Sequence, residues 1–338
     1  MLNTVIRLSS PRNFETALEE ETLGSDDVLI RPTYMSICAA DQRYYQGKRK
    51  KEILDKKLPL ALIHECVGKI LVDPTNTYKK GEKVVLVHNV PHEKNELIKE
   101  NYLRSSKFRS SSCDGFMQNY VLIKKDRIIP INKIDEKIAT QLELTSVAIN
   151  AVLSFKTKSH NKKERIGIWG CGSVGYLVSL VLKKYNPDSK IIVVGTNMEK
   201  LSYFSFADET IINSEITDDF YVDHAFECVG GPNAEGAINQ IIDVINPQGT
   251  ISLLGVTEDL VDINTRMILE KGLTIIGNSR SSYEDFFMAV ELLQDKKMQN
   301  YVNNIISQII QINDLDDINR AFESDIINEF KTVIKWNI

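Results

Sequence analysis

Up to about Gln141 the apolar residues come in short runs and alternations, not in helical stripes. DDVLIRPTYMSI, PLALIHECVGKILV, GEKVVLVHNV and GFMQNYVLI are separated by turn signals such as Tyr78-Lys79-Lys80-Gly81, and together they predict a β-rich region. Near residue 142 the texture changes to alternating strands and helices. RIGIWG (165–170) predicts a strand, SVGYLVSLVLKKY (173–185) an amphipathic helix, and KIIVVGT (190–196) the next strand, with a helix from near Met198. ETIIN (209–213), VDHAFECVG (222–230), GTISLLGV (249–256) and LTIIGNS (273–279) predict further strands. Such alternation is the pattern of a parallel sheet covered by helices. A helix over YEDFFMAVELLQ (283–294) and a closing strand, KTVIKW, follow. After about residue 280 the alternation stops, so the expected division is 1–145, 146–281, and a segment 282–338 that returns to the first region.

The turn between the first α/β strand and its helix carries Gly170, Gly172 and Gly175, with Cys171, Ser173 and Val174 between them. In that setting GxGxxG has a mechanism: a tight turn, close approach of backbone to a pyrophosphate, and close packing of helix on sheet. The helix N-terminal amides then face the phosphates. We expect a Rossmann dinucleotide-binding domain. An NAD site usually has a carboxylate at the end of the second strand for the ribose 2′-OH. Here that strand runs into Thr196 and Asn197, with Lys200 beyond and Glu199 already inside the next helix. These groups suit a 2′-phosphate, and NADPH is expected over NADH.

In LIHECVGKI (62–70), His64, Glu65 and Cys66 stand side by side. Neighbours on a strand point to opposite faces, so the three cannot reach one point unless the backbone bends. Together with Cys38, and with Glu143 at the start of a helix, they offer a thiolate, an imidazole and carboxylates, a donor set that suits zinc.

Lys and Arg number 41 against 46 Asp and Glu, a net charge of −5, which argues against nucleic acid as a partner. No run of about 20 apolar residues predicts membrane insertion, and the N-terminus lacks a signal-peptide core. Five scattered cysteines read as reduced thiols, so a cytoplasmic protein is expected. The run KRKKEILDKK (48–57) reads as a solvated charged segment.

Cys38-Ala39-Ala40-Asp41, His64-Glu65-Cys66-Val67-Gly68, GFMQNYV and GCGSVG together, in order along nearly the whole chain, resemble the zinc-containing medium-chain alcohol and polyol dehydrogenases. The resemblance implies an α/β fold in which a β-rich GroES-like catalytic domain, completed by the C-terminal tail, accompanies a Rossmann domain. It implies Cys38 and His64 as zinc ligands, Glu65 as a carboxylate in or beside the ligand shell, Glu143 as a further ligand, Asp41 orienting the histidine, and Cys66 turned into the core. Two departures stand out. The segment that in many relatives holds four cysteines around a structural zinc has only Cys113 here, so a single catalytic zinc is expected. The position often occupied by Ser or Thr in a proton relay is Ala40, which leaves water or Tyr44.

More narrowly, MSICAADQRYYQG, NYLRSSKFRSSSCDGFMQNYV, DHAFECVGG and INTRMILEKGLTIIGNSRS resemble the ribulose-5-phosphate reductases. That implies NADPH-dependent formation of ribitol 5-phosphate, a cytidylyltransferase as functional partner in making CDP-ribitol for teichoic acid or capsule polymers, and a homodimer. A phosphosugar needs a cation; Arg43 and Arg109 are the candidates, with Arg280 serving cofactor or domain junction. The rival readings are an NAD-linked dehydrogenase of unphosphorylated polyols and a non-catalytic relative of the same fold.

Overall fold

In the computed structural model, which describes residues 1–338, DVLIRPTYMS becomes the strand Asp27–Ser36 of a seven-stranded sheet. One edge pairs antiparallel with Glu65–Val72. The other is shared by Val121–Lys124, opposite Asp27 to Ile30, and Lys331–Trp336, opposite Tyr34 to Ser36. Pro32, which has no N–H to donate, falls in the gap between those two partners. Lys83–Leu86 and Ile128–Pro130 extend the sheet past Glu65–Val72, and Ile306–Ile312 extends it past Lys331–Trp336. This sheet belongs to a unit formed by Met1–Glu143 with Ser282–Ile338.

The tail is part of this unit's core. Phe322, from the helix Leu315–Ile327, packs on Tyr45 and Phe14 at ring-centroid distances of 4.7 and 5.5 Å. Trp336 is buried beside Met35 and Phe116 in the same cluster. The structure holds more here than the single helix and closing strand expected: Tyr283–Leu293 is followed by helix Lys296–Asn303, strand Ile306–Ile312 and helix Leu315–Ile327. KKMQNYVN has apolar residues at i, i+3 and i+4 (Met298, Tyr301, Val302), too few among its polar positions to mark a helix in the sequence. ISQIIQI does alternate, but only one of its residues, Ile312, is fully buried. The hairpin of Leu2–Ser10 with Asn13–Glu20 is a further addition, closed by a turn in which Arg12 has φ 64°.

Residues Leu144–Ser281 form the second unit. Its six-stranded parallel sheet runs Glu209–Ile212, Lys190–Gly195, Arg165–Trp169, Val222–Glu227, Ile245–Leu253, Thr274–Gly277. IIVV in the second strand and HAF in the fourth are buried on both faces, as parallel strands require. Sequence order reverses between Arg165–Trp169 and Val222–Glu227, which makes their carboxyl ends the switch point where such sheets bind ligands. The fifth strand begins at Ile245, earlier than the expected Gly249, because Ile245 pairs with Val222 before the register shifts across Asn246 to Gly249.

His224 is buried in this unit with both ring nitrogens engaged. Nε2 donates to the Lys162 carbonyl at 2.9 Å, and Nδ1 accepts from the Thr250 N–H at 3.1 Å. That arrangement admits only the neutral ring. Burial, reinforced by His160 with its ring centroid 4.3 Å away, lowers its pKa from 6.5 to about 4. Between those values the unfolded chain takes up a proton that the folded chain refuses, so stability falls as pH drops through that window. Thermal denaturation should show a Tm falling from pH 7 to pH 4.5, with a shallower slope in His224→Asn than in wild type; parallel slopes would refute the assignment.

Candidate metal centre and cofactor turn

Ile63 is the bend that lets adjacent residues face different ways. Its φ of 68° is rare for a β-branched residue and costs on the order of 1–3 kcal/mol. Hydrogen bonds hold it: its N–H donates to Asp41 Oδ1 at 3.1 Å, and its carbonyl accepts from Phe116 N at 2.8 Å. His64 follows the bend, and Glu65 opens the strand Glu65–Val72 with its side chain buried. Cys66 turns into the apolar core, where burial pushes its thiol far above the ordinary range. The donor atoms of Cys38, His64 and Glu65 all lie within 4.8 Å of one another.

Asp41 ties the segments that bring them together. Oδ2 accepts from the Cys38 N–H at 3.1 Å. Oδ1 accepts from Ile63 N and from Ser110 Oγ at 2.5 Å, and lies 3.4 Å from His64 Nδ1. Burial would raise the Asp41 carboxyl, but His64 and these hydrogen bonds outweigh it and hold the group below its usual value. Burial would likewise lower His64, but Asp41 and Cys38 raise it well above. With Nδ1 facing Asp41, Nε2 is the nitrogen left for a metal.

Two further residues of this site carry no signal in the sequence. Lys331, buried at the start of the last strand, donates from Nζ to Glu65 Oε1 at 2.7 Å. His88, also buried, has Nδ1 3.7 Å from Glu143 Oε1 and its ring centroid 5.5 Å from that of His64. Neither belongs to a short motif, and Lys331 is 266 positions from its partner. Glu143 is buried near the site but does not belong to the tight three-residue set. Burial pushes its carboxyl up to about 7, with His64 and Lys331 opposing and Glu65 and Asp41 reinforcing that shift.

The residues fit a zinc ion. Thiolate, imidazole and carboxylate converge, and Glu65 Oε2 is a buried oxygen with no hydrogen-bond partner. Such an atom is costly unless something completes it, and a cation between these donors would do so.

The glycine turn fits a nucleotide by a different test. A Cβ on Gly175 would lie 1.9 Å from the Gly170 carbonyl oxygen. Gly170 has φ 118°, and a Cβ there would lie 2.8 Å from the Cys228 carbonyl group. Packing explains both. Gly172 has φ −86°, and an added Cβ would meet nothing within 4 Å. The protein itself therefore has no use for glycine there, whereas a ligand lying against the backbone does. Ser173 and Val174 open the 13-residue helix beyond it, whose first turn has no side-chain cap. Cys171 is buried against Gly195. At the end of the second strand Thr196 is exposed, and Asn197 caps the next helix by accepting from Lys200 N at 3.0 Å.

Arg43 lies half-buried on the helix Ala39–Tyr45 that Cys38 caps. Arg109 is held by the fold: its terminal nitrogens donate to the Asp114 and Leu122 carbonyls at 3.4 and 3.0 Å, over the Phe116 ring. Lys51–Lys57 of the charged run form a helix with no buried residue. Glu100 accepts from Arg127 at 2.9 Å, Asn89 Nδ2 at 2.9 Å and the Tyr283 N–H at 3.0 Å.

Comparison with known proteins adds to this geometry. Residues 24–133 match the alcohol dehydrogenase GroES-like domain, and 173–295 match the zinc-binding dehydrogenase family. The chain is 46% identical over 341 residues to the ribulose-5-phosphate reductase of Bacillus spizizenii, covering 100% of both. It is 47% identical over 339 residues to ribulose-5-phosphate reductase 1 of Staphylococcus aureus, covering 99% of each. The crystal structure of S. aureus TarJ in complex with NADPH is similar at a TM-score of 0.88 and 42% identity, over 100% of both chains. No helix of this chain is long and apolar enough to cross a membrane.

The two glycines should separate on substitution. Gly172→Ala should keep its Tm within about 2 °C of wild type yet weaken NADPH binding at least roughly tenfold in a fluorescence titration, while Gly175→Ala should lower Tm outright. In chelator-treated protein, Lys331→Met strands a buried carboxylate and should cost roughly 3–5 kcal/mol in urea unfolding. Adding Glu65→Gln should restore much of that; an unrepaired double variant would contradict the pairing.

Proposed function

The chain belongs to the zinc-binding dehydrogenases with a GroES-like domain, alongside the ribulose-5-phosphate reductases, and from that premise we propose that it reduces D-ribulose 5-phosphate to D-ribitol 5-phosphate with NADPH. The carrying observation is the convergence of Cys38, His64 and Glu65 in a chain similar to those reductases from end to end. Hydride adds to the C2 carbonyl carbon, a proton adds to its oxygen, and NADPH becomes NADP⁺.

Cys38 and His64 would hold the zinc, with Glu65 or Glu143 beside them. When bound, the ion supplies Lewis acidity toward the substrate carbonyl. NADPH supplies the hydride. The chain's own groups do the rest. Asp41 fixes the ring of His64 and the backbone of Cys38, so the donor set is preformed. Lys331 offsets the charge of Glu65 on the side away from its unpartnered oxygen. Gly172 leaves its backbone open to the cofactor pyrophosphate; Gly170, Cys171, Ser173, Val174 and Gly175 shape the turn around it. Thr196, Asn197 and Lys200 take the 2′-phosphate region, where the strand end offers no carboxylate to repel it.

For the substrate phosphate, Arg43 and Arg109 are the candidate cations, Arg109 serving two main-chain carbonyls as well. One catalytic zinc and no structural zinc per subunit, a homodimer, a cytoplasmic setting, and a cytidylyltransferase as the consumer of the product complete the reading. Exposed apolar groups such as Ile275, on the edge strand Thr274–Gly277, support dimerisation.

The test follows loss of NADPH absorbance by zinc-loaded protein offered D-ribulose 5-phosphate, with D-ribulose and NADH in parallel arms. Rapid turnover of the phosphate with NADPH is the expected result. Equal turnover of the free sugar, or preference for NADH, would point instead to an NAD-linked polyol dehydrogenase, and no turnover in any arm would leave a non-catalytic relative.

A further inference from the structure

The segment DHAFECVGG has no part in the metal-donor cluster, yet it contains a buried carboxylate that the reaction does not use. Glu227 is the last residue of the strand Val222–Glu227 and is 1% exposed. Both of its oxygens are engaged by main-chain amides. Oε1 accepts from Val229 N at 2.8 Å and Gly230 N at 2.9 Å, and Oε2 accepts from Gly255 N at 3.0 Å. The Glu227 carbonyl accepts from Leu254 N at 2.9 Å as well. One residue thus grips the loops leaving two adjacent strands. The loops also hold each other, through Gly231 N to the Val256 carbonyl at 2.9 Å.

The place of these loops gives the grip its meaning. Val222–Glu227 neighbours Arg165–Trp169 across the reversal of strand order, so the segment after Glu227 lies at the ligand-binding end of the sheet. It also lies on the glycine turn itself. Cys228 N donates to the Trp169 carbonyl at 2.8 Å, and a Cβ on Gly170 would collide with the Cys228 carbonyl and approach Val229 N to 3.1 Å. Two successive glycines with positive φ, Gly230 and Gly231, give the loop its turn. Its conformation depends on the carboxylate beneath it.

We propose that Glu227 is a positioning residue for the dinucleotide, fixing the loops Cys228–Gly231 and Leu254–Val256 against the glycine turn so that the cofactor meets a preformed wall. This rests on the cofactor reading above. The side chain faces backbone, not ligand, so its effect reaches the cofactor only through those loops. Glutamine at this position keeps the size but must turn an amide group toward main-chain donors, leaving one N–H without an acceptor.

The test uses the full-length, zinc-loaded protein and titrates NADPH by its fluorescence, alongside steady-state kinetics. Glu227→Gln should raise the Kd and KM for NADPH roughly tenfold. The KM for the ketose phosphate and the zinc content should stay as in wild type, and kcat should fall far less than the KM rises. A brace that matters only to folding would instead lower the Tm of the cofactor-free protein and leave the Kd alone. If Glu227→Gln does not fold, Glu227→Asp serves: it keeps the charge but draws the carboxylate back by one methylene from the Val229, Gly230 and Gly255 amides. It too should weaken NADPH. A Kd within about twofold of wild type in a folded variant of either kind overturns the proposal. Wild-type protein that takes NADH in place of NADPH refutes only the cofactor preference, since the same ratio is then read with NADH; binding of neither nucleotide overturns both.

Discussion

The carboxylate of Asp41 is the tie on which the Cys38–His64–Glu65 cluster depends. Cys38, Ile63, His64 and Ser110 come from three stretches of chain, and hydrogen bonds or charge contact to this one buried group bring them together. Each contact constrains something different: the start of a short helix, a left-handed bend, an imidazole ring, and a loop residue that itself has φ 61°. The strain at Ile63 is tolerated because Asp41 and Phe116 hold its N–H and carbonyl at the same time. Remove the tie and the reason for the bend goes with it; His64 and Glu65 would then revert to the opposite facing of strand neighbours.

The cofactor turn and its wall are built on the same principle with different parts. Main-chain groups take the roles, and side chains such as Glu227 act on them from below. Glycine appears for two separate reasons, crowding at Gly170 and Gly175 and openness at Gly172. A buried polar group in either unit is therefore best understood from what it holds in place. Glu227 and Asp41 are both carboxylates that accept several N–H or O–H donors at a strand end or helix start, and both leave the chemistry itself to their neighbours.

What can be read from sequence follows from how local the cause is. The helix Ser173–Tyr185 and the closing strand Lys331–Trp336 fall where their patterns predict, because periodicity and flanking turn residues lie within the segment. Cys38, His64 and Glu65 are legible as donors, and the need for a bend is legible too, since strand geometry forbids their convergence without one. Ile63 as the bend is not, because nothing in an isoleucine signals positive φ. Lys331 is invisible for a related reason: its partner lies across the sheet, and pattern carries no information about that pairing. The tail's polar helix Lys296–Asn303 escapes notice because its burial depends on tertiary contacts. Arg109 reads as a phosphate candidate from its guanidinium fork and its place in FRSSS, but the carbonyls it donates to are not legible, because only the fold brings them near.

The position of Lys331 has a consequence for how the chain comes into being. Cys38, His64 and Glu65 precede by a long way the ammonium that neutralises Glu65, which lies 266 positions further along in the strand Lys331–Trp336, as does the partner for the edge at Tyr34 to Ser36. A whole α/β unit is translated between them. Until Lys331–Trp336 is in place, a nascent chain holds thiol, imidazole and carboxylate without that counter-charge, beside an unpaired strand edge, the kind of surface that invites misassociation. The Cys38–His64–Glu65 cluster therefore reaches its final charge balance only once Lys331–Trp336 has joined the sheet.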